Sequence, residues 1–352
     1  MADSERERWL REHLRIGQVI PAHPLALNAN RTLDERSQRA LTRYYVDAGA
    51  GGIAVGVHTT QFAIRRPEYG LYRPVLELAA QTVREWTGTS TPRLALVAGV
   101  IGPTAQAVAE AELAHSLGYD VVLLSLGALP TASDEALIAH CRAVAEVMPL
   151  FGFYLQPAVG GRVLSYAFWR EFAELDRAWA IKIAPFNRYQ TLDVVRAVAD
   201  AGRRDLALYT GNDDAIVPDL VTPAPTANDA QARIVGGLLG QFAVWTRAAV
   251  ALHARARAAR AASSIDVELL RDGAALTDAN AAIFDAAHGF AGCIPGIHEV
   301  LRRQGLLAGT WCLNPNETLS PGQSEEIDRI VAAYPQLRDD AFVREHLDRW
   351  RG

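Results

Sequence analysis

Lys182 is the only lysine in a chain of 352 residues; the other 34 of its 35 basic residues are arginine. A coding bias that turns lysine into arginine nearly everywhere leaves one position untouched. That position lies in Trp179-Ala180-Ile181-Lys182-Ile183-Ala184, with apolar neighbours on both sides. Period-2 alternation turns its side chain either into a barrel-like core or toward a covering helix layer. An ammonium in either place is costly unless it is paired or deprotonated, and burial lowers its pKa. A partly neutral lysine in an apolar pocket attacks carbonyl carbon and forms a Schiff base. Two structural readings stand beside this one: a lysine at a strand end that snorkels to solvent, or one that pairs with a buried carboxylate. Tyr154 offers a second group. It ends Phe151-Gly152-Phe153-Tyr154, the preceding apolar run. Adjacent parallel strands lie about 4.8 Å apart, which puts the two ends within reach of one small substrate. A phenol there would carry protons to and from a Schiff-base intermediate, or else serve as a core tyrosine at the rim.

The elements that must position these residues alternate along the chain. Short apolar runs read as buried strands at Gln18–Leu27, Gly52–Val57, Leu94–Val100, Val121–Leu126, Leu150–Leu155, Trp179–Ile183, Leu206–Tyr209 and, weakly, Arg233–Leu238. Between them, i, i+3, i+4 apolar spacing predicts helices such as Asp34–Asp47, Pro74–Trp86, Thr104–Leu117, Asp134–Val147, Tyr166–Leu175 and Leu192–Ala201. Caps open several of them, and Gly49, Gly118 and Gly202 close them. Strands free of charge on both faces require helices on both sides of a parallel sheet. Eight strand–helix units predict a (β/α)8 TIM barrel over residues 1–260, N-terminal helix included, and a helical C-terminal extension over 261–352. An open doubly wound sheet is the runner-up, but no G-x-G-x-x-G follows the first strand.

Composition narrows the function classes. Half of the residues are hydrophobic and the formal net charge is −5, so the chain is globular and carries no basic footprint for nucleic acid. No run is long and apolar enough for a membrane span. The charged N-terminal residues 1–15 lack the apolar core of a secretory signal. Cys141, Cys293 and Cys312 match neither a disulfide framework nor a zinc pattern. These features predict a reduced, cytoplasmic protein.

With these residues in view, the chain resembles the dihydrodipicolinate synthase / N-acetylneuraminate lyase family of class I, lysine-dependent aldolases. The likeness runs from the first strand to about Arg260, with an echo at Gly305-Leu306-Leu307 and Leu313-Asn314-Pro315. Ile181-Lys182 resembles the family's I-K motif, whose lysine forms an imine with pyruvate or another 2-oxo acid. Tyr154-Leu155-Gln156-Pro157-Ala158-Val159-Gly160-Gly161 is similar to Y-N-x-P-A-x-x-G, which implies a proton shuttle at Tyr154. Val57-His58-Thr59-Thr60-Gln61 is similar to the carboxylate loop G-[ST]-T-G-E. The likeness implies that Thr59 and Thr60 hold the acid, and His58 adds an imidazole for acid–base work. Gly211-Asn212-Asp213-Asp214 resembles the G-x-D-[DE] turn, which implies hydroxyl recognition by Gly211, Asp213 and Asp214. The departures are specific. Val57, Thr60 and Gln61 replace both glycines and the acid of the carboxylate loop, and Val159 stands where dihydrodipicolinate synthases carry an arginine. Leu126-Gly127-Ala128-Leu129-Pro130 lacks the P-Y-Y segment with the tyrosine normally lent by a neighbouring subunit.

Other groups carry weaker signals. Arg65, Arg66 and Arg73 in the loop Phe62–Arg73 either bind a carboxylate bidentately or belong to a solvated loop. His23 either lines the barrel mouth or is structural. Asp213 and Asp214 are adjacent and have no His/Cys cluster nearby, which argues against a metal. Thr277-Asp278-Ala279-Asn280 reads as a helix cap, and Gly236-Gly237 either approaches a phosphate or permits tight packing. The expectation is a Schiff-base lyase of a 2-oxo acid, acting by aldol chemistry or by dehydration of a sugar-derived acid. It would need no cofactor beyond the imine on Lys182 and would be a homo-oligomer, a dimer or tetramer. The alternative is a degenerate member that binds a small acid as a sensor.

Overall fold

The computed structural model describes residues 2–88, 94–224 and 232–352. A helix α1 (Ala2–Ile16) precedes β1 (Val19–Pro21). There follow α2 (Glu35–Asp47), β2 (Gly52–Val55), α3 (Tyr72–Thr87), β3 (Ala95–Val100), α4 (Thr104–Ser116) and β4 (Val121–Ser125). Next come α5 (Asp134–Val147), β5 (Leu150–Leu155), α6 (Tyr166–Phe172), β6 (Ala178–Ala184), α7 (Arg188–Asp200) and β7 (Ala207–Thr210). The barrel ends with α8 (Ile216–Val221), β8 (Ile234–Leu239) and α9 (Thr246–Ala261). All strand pairs are parallel, in the order β1-β8-β7-β6-β5-β4-β3-β2. The His23 N–H donates to the Ala54 carbonyl at 2.8 Å, and Ala22 bridges Ala54, which joins the two ends of the sheet. The protein is a (β/α)8 TIM barrel. Among the described residues no helix is long and apolar enough to cross a membrane.

The alternation of each strand divides the core into two layers. Ile181 and Ile183 of β6 face the helices with Leu150 and Tyr154 of β5, while Phe151, Phe153 and Leu155 fill the barrel interior. Helix α1 plugs the N-terminal mouth by placing Leu10 and Leu14 in that inner layer, and the Tyr209 hydroxyl donates to the Leu14 carbonyl at 2.8 Å. Each buried leucine is worth roughly 1.5–3 kcal/mol, enough to hold a 15-residue helix across the opening.

After the barrel come α10 (Val267–Ile283), α11 (Cys293–Arg303), α12 (Gln323–Ala333) and α13 (Asp340–Arg351). They do not stand apart from the barrel. Tyr44 on α2 donates its hydroxyl to Asp339 at 2.7 Å, and Trp350 on α13 donates its indole N–H to Asp47 at 2.7 Å. Thr277 and Asn280 lie inside α10, not at its start. The helix is capped by Asp266, whose side chain accepts the Glu268 N–H. The helix passes over the β7 loop instead: Thr277 donates to the Asp214 carbonyl at 2.8 Å and Asn280 to the Asp213 carbonyl at 2.7 Å.

Candidate active site

The C-terminal mouth of the barrel holds a narrow cavity of about 60 Å³, and Lys182 lines it. The strand β6 that carries this lysine is buried along its whole length. Its stem crosses Gly211: a Cβ on that glycine would lie 2.7 Å from Lys182 Cε and 3.1 Å from Cγ. The role of Gly211 is therefore to leave room for the lysine. The ammonium nitrogen sits 4.5 Å from the centre of the Phe153 ring. Burial lowers the Lys182 pKa, and the charge of Asp213 partly holds it up. Asp213 is the one carboxylate among the described residues lining the cavity, and its Oδ1 accepts the Gln241 N–H at 3.2 Å. Burial raises its pKa, and the Lys182 charge opposes that rise. Each group therefore sits closer to proton exchange with the other than either would in water.

His58 and Thr59 line the opposite wall. They open a short 3-10 turn, His58–Thr60, whose first N–H groups have no partner within the turn. Burial, and secondarily the Lys182 charge, depress the His58 imidazolium to about 4, so the ring is neutral at physiological pH. The Thr59 hydroxyl donates to the Ala22 carbonyl at 2.8 Å. Thr60 is not on the cavity wall. Its hydroxyl donates to the His23 carbonyl at 2.7 Å and accepts the Gly56 N–H at 3.0 Å, so it staples the loop from behind.

Tyr154 does not reach the cavity either. Phe153, not Tyr154, pairs with Lys182 in the ladder, while Tyr154 pairs with Ile183 and faces the helices. Its hydroxyl exchanges hydrogen bonds with the Leu164 backbone at 3.2 Å, and its ring lies 5.5 Å from that of Trp169. The cause is local. β5 alternates without a break, so Tyr154 lies on the face opposite Phe151, Phe153 and Leu155, while the extra residue Trp179 in β6 shifts the register and sets Lys182 opposite Phe153 on the inner face. Asp214 also lies off the cavity wall, beneath α10. His23 is structural: Nδ1 is 2.8 Å from the Pro24 carbonyl, Nε2 is 2.9 Å from the Thr42 hydroxyl, and burial lowers its pKa to about 4. Arg65 is buried against Glu110 at 2.9 Å and stacks on Tyr72, so it braces the loop. Gly236 and Gly237 serve packing, with Gly236 against Gln18 and the Tyr209 ring.

No motif or spacing in the residues marks the cavity roof. Phe186 after β6, Phe284 and Phe290 between α10 and α11, and Cys293 and Ile297 on α11 all line it. Only topology brings residues more than a hundred positions apart to one mouth.

Comparison with known proteins fits this geometry. The model of the Dihydrodipicolinate synthetase family matches residues 15–260. The chain belongs to that family. The 4-hydroxy-tetrahydrodipicolinate synthase of Bifidobacterium longum strain DJO10A is 25% identical over 221 residues, covering 62% of this chain and 67% of that protein. The corresponding enzyme of Desulforudis audaxviator is 27% identical over 230 residues, covering 64% and 74%. Among solved structures, dihydrodipicolinate synthase from Oceanobacillus iheyensis superposes with a TM-score of 0.72 at 19% identity, over 92% of this chain and 99% of that one. N-acetylneuraminate lyase from Fusobacterium nucleatum, complexed with pyruvate, gives 0.71 at 17% identity, over 91% and 98%. Within the dihydrodipicolinate synthetase family, this member sets a phenyl ring beside the strand-six lysine.

Proposed function

We propose that this protein is a Schiff-base-forming lyase of 2-oxo acids, with Lys182 as its nucleophile. The observation that carries the reading is a buried, solitary lysine in an apolar cavity with one carboxylate partner. Membership of an aldolase-type lyase family favours turnover over a binding-only role. In the proposed sequence the neutral amine of Lys182 attacks the keto carbon, and loss of water gives the iminium. The iminium is itself the electron sink, so the chemistry draws on no metal or organic cofactor. The Thr59 side and the open N–H groups of the His58 turn hold the carboxylate. Because Tyr154 faces the helix layer, proton transfer falls to Asp213, with neutral His58 as the second group in reach. Val159 lines the wall where a dicarboxylate would need a cation, and no arginine among the described residues lines the cavity. This argues against dihydrodipicolinate synthesis itself. Borohydride reduction in the presence of pyruvate, followed by peptide mass spectrometry, tests the reading. Label on Lys182 supports it, and absence of label with pyruvate and related 2-oxo acids refutes it.

A further inference from the structure

The cavity roof is aromatic and comes from two distant parts of the chain, the β6 loop (Phe186) and the C-terminal extension (Phe284, Phe290). Phe186 and Phe290 meet edge to face with ring centroids 5.8 Å apart. Both adopt left-handed backbone conformations, φ 52° and φ 69°, where a bulky side chain carries a steric cost that glycine would avoid. Each is pinned there. The Phe186 N–H donates to Asn212 Oδ1 at 3.0 Å, and the Phe290 N–H donates to the Asp285 carbonyl at 3.0 Å. Two separate segments therefore hold unfavourable backbone geometry, and the result of both is a phenyl ring over the cavity.

The polar side chains that line the cavity besides the lysine are few. Asp213 takes the Gln241 N–H, Thr59 gives its proton to Ala22, and beyond His58 only Gln156 and the Cys293 thiol are polar. A polyhydroxylated chain entering this roof would leave hydroxyls without partners. No arginine among the described residues lines the cavity to meet a distal phosphate or carboxylate.

We propose that the second substrate, the carbonyl compound joined to the 2-oxo acid or released from it, carries an aryl group that packs among Phe186, Phe284 and Phe290. This rests on the imine reading above. The acid half occupies the narrow cavity at Lys182. The aryl half enters between Phe186 and Phe290, both partly exposed, whose rotamers can exchange on fast timescales. In condensation, the iminium of pyruvate loses a C3 proton to give the enamine. C3 then forms a bond to the aldehyde carbon, and the aldehyde oxygen takes up a proton. Water hydrolyses the iminium, freeing Lys182 and a 4-aryl-4-hydroxy-2-oxo acid, with no net oxidation or reduction.

The test compares pyruvate condensation with benzaldehyde and with glyceraldehyde, measured alongside borohydride labelling of Lys182 by pyruvate in the same preparation. The expected preference for benzaldehyde in kcat/KM is about 100-fold. It should fall below about tenfold in the double variant Phe186→Ala/Phe290→Ala, with Lys182 still labelled by pyruvate as the sign of a folded site. Intact labelling without faster use of benzaldehyde, or a preference that survives in the double variant, overturns the aryl assignment alone. Absence of labelling overturns the imine reading and this proposal together.

Discussion

Phe153 and Tyr154 are consecutive residues of one strand with opposite surroundings. Phe153 turns inward and lays its ring against the Lys182 ammonium, whereas Tyr154 turns outward against Trp169 and ties its hydroxyl to Leu164. On the proposed reading the inner face of β5–β6 carries the chemistry, and the outer face carries packing. One residue of register separates a phenol that could move protons from a phenol that anchors a loop. The comparison teaches that a motif in the linear sequence assigns a role only once the ladder fixes which face it occupies.

The strongest way to break this contrast is to remove the lysine. Lys182→Ala should lower turnover by about 10⁴-fold or more, as expected when the nucleophile leaves a site that acts as a unit. Lys182→Arg should do the same, since a guanidinium does not lose its proton to attack a carbonyl. Asp213→Asn should cost about 10²–10⁴-fold in kcat, the usual range for a general acid–base group. That variant also carries a signed pH test. The Asp213 charge raises the Lys182 pKa, so its removal should move the rising, acid-side limb of imine formation, where the ammonium gives up its proton, to lower pH, read by borohydride trapping across a pH series. Gly211→Ala pushes a methyl group into the lysine stem, and misplacing the amine should cost about 10²-fold in kcat/KM with the fold retained by circular dichroism. Tyr154→Phe is the smallest expected effect on rate. Activity should stay within about threefold, while denaturant unfolding should show a loss of about 1–2 kcal/mol as the Leu164 backbone loses its partner.

Much of the architecture was legible in the residues because apolar runs and caps are local signals. The run Leu150–Leu155 and the helix Asp134–Val147 coincide with β5 and α5. Lys182 was legible for the same reason, as a single charge in an apolar strand. Tyr154 was misread because the shift at Leu150/Phe151 has no signature in composition or spacing. Thr60 was misread because its hydroxyl faces the back of the loop, which neighbouring strands decide. The role of Thr277 and Asn280, and the phenylalanine roof, depend on where α10 and α11 cross the barrel mouth. That placement is set by contacts over long sequence separation.

The contrast between the two faces meets its most direct test in one labelling experiment, because the protein has a single lysine. Wild-type protein and Tyr154→Phe are incubated with pyruvate and borohydride, and the rate of label uptake on the Lys182 peptide is followed by mass spectrometry. The account expects both proteins to label Lys182 at the same rate. No label on Lys182 in either, or a loss of about tenfold or more confined to Tyr154→Phe, would contradict it.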